Sequence, residues 1–294
     1  MSRRFLIPLD GSKLAERGLE QLERFFEREE VELVLFHAID PRAQDLAAVE
    51  RAAREYLEPL RGRYEERRIA ARIELARGDA AEEIGSAADQ LDAALVVMSS
   101  HGRTGATRLL RGSVAERVLR SCRRPVLVAS AAALDRSEPR SPFERILVPL
   151  DGSEASARIL PAVEDLARVF GSEVLLLRIE WAFAAMVGPF APDVAKLRPL
   201  DQVAAEIAPV QIRLEAAGVR ARVIASYGPE ATEILDCAER NRVDLVALST
   251  HGRSGLSRWA FGSVAEHVLR HCACPVLVRR VPPGQVAWVR RPAP

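Results

Sequence analysis

The chain has 294 residues, 48% of them hydrophobic and 28% charged, which is the balance of a globular protein long enough for two domains. Its 42 basic and 41 acidic side chains leave a formal charge of +1, so electrostatics give no reason to expect nucleic acid or a membrane surface as partner. No apolar run approaches the roughly 20 residues that cross a bilayer. Lys13 and Lys196 are the only lysines, which excludes a phosphate loop that needs lysine after its second glycine.

The first apolar segment, Phe5–Leu9, ends at Asp10, too soon for a signal peptide, and reads as a strand. Helical spacing follows at Leu14, Gly18, Leu19, Leu22 and Phe26. A strand is predicted over Glu32–Ile39, a long charged helix over Leu46–Arg63, and a third strand over Ala70–Ala76. Ala80–Gln90 reads as a helix, Ala94–Met98 as an all-apolar strand, Ser113–Arg120 as a helix with Val114, Val118 and Leu119 as its apolar stripe, and Val126–Ala129 as the last strand. Apolar strands alternating with amphipathic helices predict a parallel sheet covered on both faces, in a doubly wound α/β fold with five strands.

The pattern then recurs. Phe5-Leu6-Ile7-Pro8-Leu9-Asp10-Gly11-Ser12 returns as Ile146-Leu147-Val148-Pro149-Leu150-Asp151-Gly152-Ser153, at an offset of 141. His101-Gly102-Arg103-Thr104-Gly105 returns as His251-Gly252-Arg253-Ser254-Gly255 at an offset of 150, and Gly112-Ser113-Val114-Ala115-Glu116 returns unchanged at 262–266. The chain is a tandem duplication whose second copy carries nine more residues, best placed within 181–200. There Trp181, Phe183 and Phe190 would cover apolar surface. The expected division is a domain over 1–130, a linker over 131–142 rich in Ala, Ser, Pro and charge, a domain over 143–281, and a tail over 282–294. Cys122, Cys237, Cys272 and Cys274 form no disulfide framework, which suits a cytoplasmic protein, and their spacing completes no metal site.

Ligands of doubly wound sheets bind outside the carboxyl ends of the strands, where strand order reverses. Asp10-Gly11-Ser12 closes the first strand, and Ser99-Ser100-His101-Gly102 closes the fourth and leads to Gly112-Ser113 at a helix start. Glycines let backbone approach phosphate, helix-start amides attract it, and an aspartate can accept from ribose hydroxyls. Plainer readings stand beside this one. Asp-Gly-Ser also makes a tight turn with an N-cap, and both Ser113 to Glu116 and Ser263 to Glu266 fit a capping box.

The order D-G-S, then S-x2-G-x9-G-S, then Pro-Val-Leu-Val resembles the universal stress protein family in both copies, over Arg3–Ala129 and Glu144–Arg279. The resemblance implies two tandem doubly wound domains of the adenine nucleotide alpha hydrolase-like type. ATP-binding members carry G-x2-G-x9-G-[ST]. Gly102, Gly112 and Ser113 match it, as do Gly252, Gly262 and Ser263, whereas Ser99 and Ser249 replace the first glycine. It further implies that Pro8, Asp10 and Ala38 border adenine and ribose, and that Ser99, Gly102, Arg103, Gly112, Ser113 and Val114 surround the phosphates. The counterparts are Pro149, Asp151, Ile179, Ser249, Gly252, Arg253, Gly262, Ser263 and Val264. Ile179 in place of Ala38, and Phe261 in place of Arg111, predict that the two sites differ.

The implied cofactor is ATP, or AMP or ADP, with magnesium as a companion ion. The implied role is that of a stress-response regulator or sensor. A stress scaffold that binds no nucleotide and a slow ATP-hydrolysing enzyme remain open alternatives. The last strands, Val126–Val128 and Val276–Val278, are expected to pair within the chain as a pseudo-dimer, and a homodimer of chains is a further option. No nucleic acid or membrane partner is expected.

Overall fold

The computed structural model describes residues 3–21, 30–99, 114–129, 143–181, 197–250 and 262–281. The chain divides into two compact units, Met1–Pro142 with Leu277–Arg280, and Phe143–Val276 with Val281–Pro294. The expected linker, most of the 181–200 insertion, the tail, and the Leu22–Phe26 part of the first predicted helix lie outside the described residues.

Repeat one runs β1 (Arg3–Pro8), α1 (Lys13–Gln21), β2 (Val31–Ile39), α2 (Leu46–Glu66), β3 (Ala70–Arg77), α3 (Ala80–Gln90), β4 (Leu95–Ser99), α4 (Val114–Ser121) and β5 (Val126–Ala129). Its strands are parallel in the order β3-β2-β1-β4-β5. Repeat two runs β6 (Arg145–Pro149), α5 (Glu154–Ala157), α6 (Leu160–Phe170), β7 (Glu173–Glu180), α7 (Leu200–Ala205), α8 (Ala208–Ala216), β8 (Arg220–Tyr227), α9 (Glu230–Arg240), β9 (Leu245–Ser249), α10 (Ser263–His271) and β10 (Val276–Arg279). The order there is β8-β7-β6-β9, again parallel. Strand β10 enters beside β9 where Val246 N–H donates to Pro275 carbonyl at 3.1 Å, as Val96 donates to Pro125 at 2.9 Å in repeat one.

The apolar strand sequences follow from burial on both faces. Leu6, Leu33, Val34, Leu35 and Val96 in repeat one, and Leu147, Val174, Leu175 and Val246 in repeat two, have no exposed surface. Each such side chain contributes roughly 1.5–3 kcal/mol relative to exposure. The outer strands β3 and β8 are half-exposed and charged instead. Arg72 reaches Glu32 at 3.0 Å, and Arg222 reaches Glu173 at 3.0 Å. Charge on such an edge discourages pairing with another chain.

The repeats part company at two helices: α1 is continuous where repeat two has α5 and α6, and the helix after the second strand differs as well. In repeat one, α2 is continuous through Pro59, and Asp45 caps its start by accepting from Ala48 N–H at 2.9 Å. In repeat two the matching stretch breaks between α7 and α8. Pro209, which stands at the same place as Pro59 under the 150-residue offset, sits in the first turn of α8. A proline starts a helix more readily than it continues one. Glu206 and Ile207 lie at the break.

Candidate functional site

In each repeat one strand is flanked on both sides by partners that belong to opposite halves of the winding. Strand β1 pairs with β2 and, through Phe5↔Leu95 and Leu6↔Val96, with β4. Strand β6 pairs with β7 and, through Ile146↔Leu245 and Leu147↔Val246, with β9. This is the point of reversed strand order, where the carboxyl ends leave a crevice. Pro8 ends β1, Ser99 ends β4, and Ala38 lies in the last turn of pairing of β2; Pro149, Ser249 and Ile179 hold the same places in repeat two.

The Asp-Gly-Ser turn is both a tight turn and a cap. Gly11 and Gly152 have φ of 81° and 80°, a left-handed geometry that penalises any Cβ. Asp10 Oδ1 accepts from Ser12 N–H at 3.0 Å, and Ser12 Oγ accepts from Ala15 N–H at 3.2 Å at the start of α1. In repeat two Asp151 Oδ1 accepts from both the N–H and the hydroxyl of Ser153, at 2.8 and 2.6 Å. Ser156, where repeat one has Ala15, adds more bonds. Its N–H donates to Ser153 Oγ at 3.1 Å, its hydroxyl donates to Ser153 carbonyl at 2.9 Å, and its carbonyl accepts from Ser249 Oγ at 3.3 Å.

Around β2, repeat one presents small or neutral groups. Ala38 is half-buried. His37 Nδ1 donates to Leu9 carbonyl at 2.7 Å, which fixes the ring and its tautomer. Tyr56 of α2 brings a buried hydroxyl that makes no well-formed hydrogen bond, with Glu16, Asp10 and Gly11 beside it. Burial first, and then the charges of Glu16 and Asp10, push its phenol pKa well above the ordinary value. A buried hydroxyl left unpaired costs about 1–3 kcal/mol, so a ligand or water group that accepts from it would recover that cost.

Around β7, repeat two presents a set of ions that pair with one another, in which Arg178 Nη2 makes no hydrogen bond of its own. Arg178 is 3% exposed. Its Nε donates to Glu206 Oε2 at 2.8 Å, its Nη1 donates to Ile179 carbonyl, and its Nη2 lies 3.8 Å from Glu180. Arg198 grips Glu180 with two nitrogens, Nε at 3.1 Å and Nη2, and gives Nη1 to Glu206. Tyr227 hydroxyl donates to Arg198 carbonyl at 2.6 Å. Hydrogen bonds from Arg198 hold the Glu180 carboxyl below its usual range. Burial would raise Glu206, but its bonds from Arg198 and Arg178 outweigh that and lower it. Bonds from Glu180, then Glu206, raise Arg198 further above an already high value. Ile179, next along β7, is buried at 8% exposure and meets the set through its carbonyl.

Of the residues expected at the sites, Gly102, Arg103, Gly112, Ser113, Gly252 and Arg253 lie outside the described residues, as do Arg111, Phe261 and both loop histidines. Val114 starts α4 and is 40% exposed, so it leaves the apolar stripe that Val118 and Leu119 form in the core. The capping box expected over Ser263 to Glu266 does not form. Gly262 is the N-cap, Ser263 is already helical, and Glu266 turns forward to Arg270 at 2.5 Å. Glu116 likewise pairs with Arg120 at 2.5 Å. Space explains the glycine: a Cβ at Gly262 would stand 2.7 Å from Thr250 carbonyl oxygen. Val264, next along, is half-buried. Trp181 is 52% exposed, so it does not cover the apolar surface expected of it.

The residues that sequence reasoning passed over are Tyr56, Arg178, Glu180, Arg198 and Glu206. One signal was available. The 141 offset sets Arg178 against His37, and the 150 offset sets Glu206 against Tyr56. Among the described residues no cluster of His, Cys, Asp or Glu could hold a metal ion. Cys272 and Cys274 are buried with their sulfurs 3.4 Å apart. Among the same residues no helix is long and apolar enough to cross a membrane.

Two doubly wound parallel-sheet repeats, each with a crevice at its switch point, define a tandem α/β protein. The chain belongs to the universal stress protein family: the profile of the Universal stress protein family matches residues 1–130 and again residues 142–280. The universal stress protein MJ0531 of Methanocaldococcus jannaschii is 30% identical over 147 residues, 48% of this chain and 84% of its own length. YxiE of Bacillus subtilis is 30% identical over 147 residues, 47% of this chain and 99% of its own. A crystal structure of a universal stress protein from Archaeoglobus fulgidus superposes on 95% of this chain and 99% of its own, with a TM-score of 0.75 and 22% identity. That likeness shows the shared fold.

Proposed function

We propose that the protein is a cytoplasmic stress-response regulator or sensor that binds ATP or another adenine nucleotide at the strand ends of repeat one, with bound-state conformation and not turnover as its output. The observation that carries this reading is that Asp10, just past the end of β1, has the poorly bonded Tyr56 hydroxyl beside it, with Ala38 near the end of the neighbouring strand β2. Adenine and ribose suit it. A small side chain at Ala38 leaves room for a flat base, and Asp10 supplies acceptors for ribose hydroxyls. The phosphates, with any magnesium they carry, fall by family resemblance to the Gly102, Arg103, Gly112 and Ser113 stretch and to the start of α4 at Val114. A helix start favours anions through its free amides and its dipole. The Ser99 hydroxyl takes the place of the family glycine beside them.

Repeat one is the tighter of the two sites in this reading, because Ile179 and Phe261 replace Ala38 and Arg111. An assembly goes with it on sequence grounds alone: the apolar last strands pair within the chain, and Leu127→Asp with Leu277→Asp should expose hydrophobic surface to a fluorescent dye. The direct test of function is to purify the chain, denature it and chromatograph what is released. An adenine nucleotide, or ATP binding by the emptied protein, is expected. Nothing released, together with no uptake of ATP, ADP or AMP in equilibrium dialysis, overturns the proposal.

A further inference from the structure

We infer that repeat two has exchanged its ligand for an internal ion pair, so that the chain binds one nucleotide and binds it in repeat one. This rests on the nucleotide reading above and adds to it which repeat is competent and which residues decide the matter.

Three paired positions make the exchange. His37 becomes Arg178, Ala38 becomes Ile179, and Tyr56 becomes Glu206. In repeat one the first is a ring tied to the Leu9 carbonyl, the second a half-buried methyl, and the third a buried hydroxyl that makes no well-formed hydrogen bond. In repeat two all three positions are engaged by protein groups, with Arg178 Nη2 in ion-pair contact but without a hydrogen bond of its own. Arg178 and Glu206 neutralise each other at 2.8 Å, and Ile179 is buried and gives its carbonyl to Arg178. Arg198 then joins Glu206 to Glu180 and is itself held by the Tyr227 hydroxyl.

The Asp-Gly-Ser turn of repeat two is also bonded within the protein. Asp151 takes the Ser153 hydroxyl as well as its N–H, and Ser249 Oγ is turned to the Ser156 carbonyl. A ligand that entered here would have to separate the buried Arg178 from the part-buried Glu206, and leaving an interior charge without its counter-ion is costly. It would meet that ion pair at the base end, before any phosphate contact could repay it. In repeat one a ligand has no ion pair to separate at these positions and meets the poorly bonded Tyr56 hydroxyl.

The experiment is photoaffinity labelling of the full chain with azido-ATP, competed by unlabelled ATP, with labelled peptides located by mass spectrometry. Competed label confined to repeat one is expected. Competed label in repeat two overturns this inference while leaving nucleotide binding intact. No competed label in either repeat, with no ATP uptake in dialysis, overturns the nucleotide reading itself and this inference with it. The cause is tested by installing the repeat-two residues in repeat one, as His37→Arg, Ala38→Ile and Tyr56→Glu together. ATP affinity should fall at least roughly tenfold in a chain whose circular dichroism is unchanged. Unchanged affinity overturns the assignment of these positions. Ala38→Ile alone, the mildest of the three, provides the same test if the triple variant does not fold, with a fall of roughly threefold or more expected.

Discussion

At the end of β2 the chain carries His37, Ala38 and Ile39; at the end of β7 it carries Arg178, Ile179 and Glu180. The backbones agree closely there. Leu9 N–H donates to Phe36 carbonyl at 2.8 Å, and Leu150 N–H donates to Leu177 carbonyl at 2.8 Å. Gly78 N–H donates to Ile39 carbonyl at 3.0 Å, and Gly228 N–H to Glu180 carbonyl at 3.2 Å. The lesson is that one fold, repeated within one chain, can keep its hydrogen-bond frame while one copy stays receptive and the other wires its polar groups to each other. Duplication supplies the internal control that a single domain lacks.

The largest expected effect comes from breaking the ion set. Glu206→Ala strands Arg178 in the interior with only the more distant Glu180, and should cost about 2–4 kcal/mol of stability, read as a lower midpoint in urea. Tyr56→Ala at the matching position would remove packing as well, so Tyr56→Phe is the fair counterpart and is taken last. Gly262→Val follows in size. Its Cβ would meet Thr250 carbonyl oxygen at 2.7 Å, and relief of that overlap should cost about 1–3 kcal/mol in thermal or urea unfolding. A variant as stable as the parent would show that the loop backbone gives way freely.

A pH series sharpens the contrast. The folded-state pKa values of Glu180 and Glu206 are both lowered. The unfolded chain therefore takes up protons first as pH falls. The stabilisation is complete above the unfolded glutamate value of about 4.3 and is lost as pH drops through the lower folded values. Arg198→Met should flatten the loss of melting temperature between neutral pH and that acid range. An identical slope in the variant would mean that Arg198 does not hold these carboxylates down.

Tyr56→Phe is the smallest change and the most informative about repeat one. Removing a buried hydroxyl that makes no well-formed hydrogen bond should leave the nucleotide-free protein equally stable, or steadier by up to about 1 kcal/mol. ATP binding should weaken at the same time, by the roughly fivefold that one recovered hydrogen bond represents. Stability and affinity moving together would mean that the hydroxyl serves the fold.

The doubly wound fold was readable because the inner strands are apolar runs that alternate with amphipathic helices, and because the pattern recurs in the second copy. The helix starts were less legible. Ser263 to Glu266 has the spacing of a capping box, but the helix begins one residue earlier than that spacing assumes. Gly262 is forced to be the cap by its contact with the Thr250 backbone, a neighbour only in space. Val114 sits in the first turn of its helix at 40% exposure, away from the core that Val118 and Leu119 reach. The ion set escaped for another reason. Arg178 is aligned by one offset and Glu206 by another, and the residues that reset the offset lie between them. Each substitution looks unremarkable alone, and only the fold brings the two together at 2.8 Å.

Calorimetric titration of the full chain with ATP, alongside Asp10→Ala, tests the account most directly. It predicts one site per chain, and an Asp10→Ala affinity lowered by about 0.5–1.5 kcal/mol for each ribose hydrogen bond lost. Two equivalent sites, or an affinity untouched by Asp10→Ala, would contradict it.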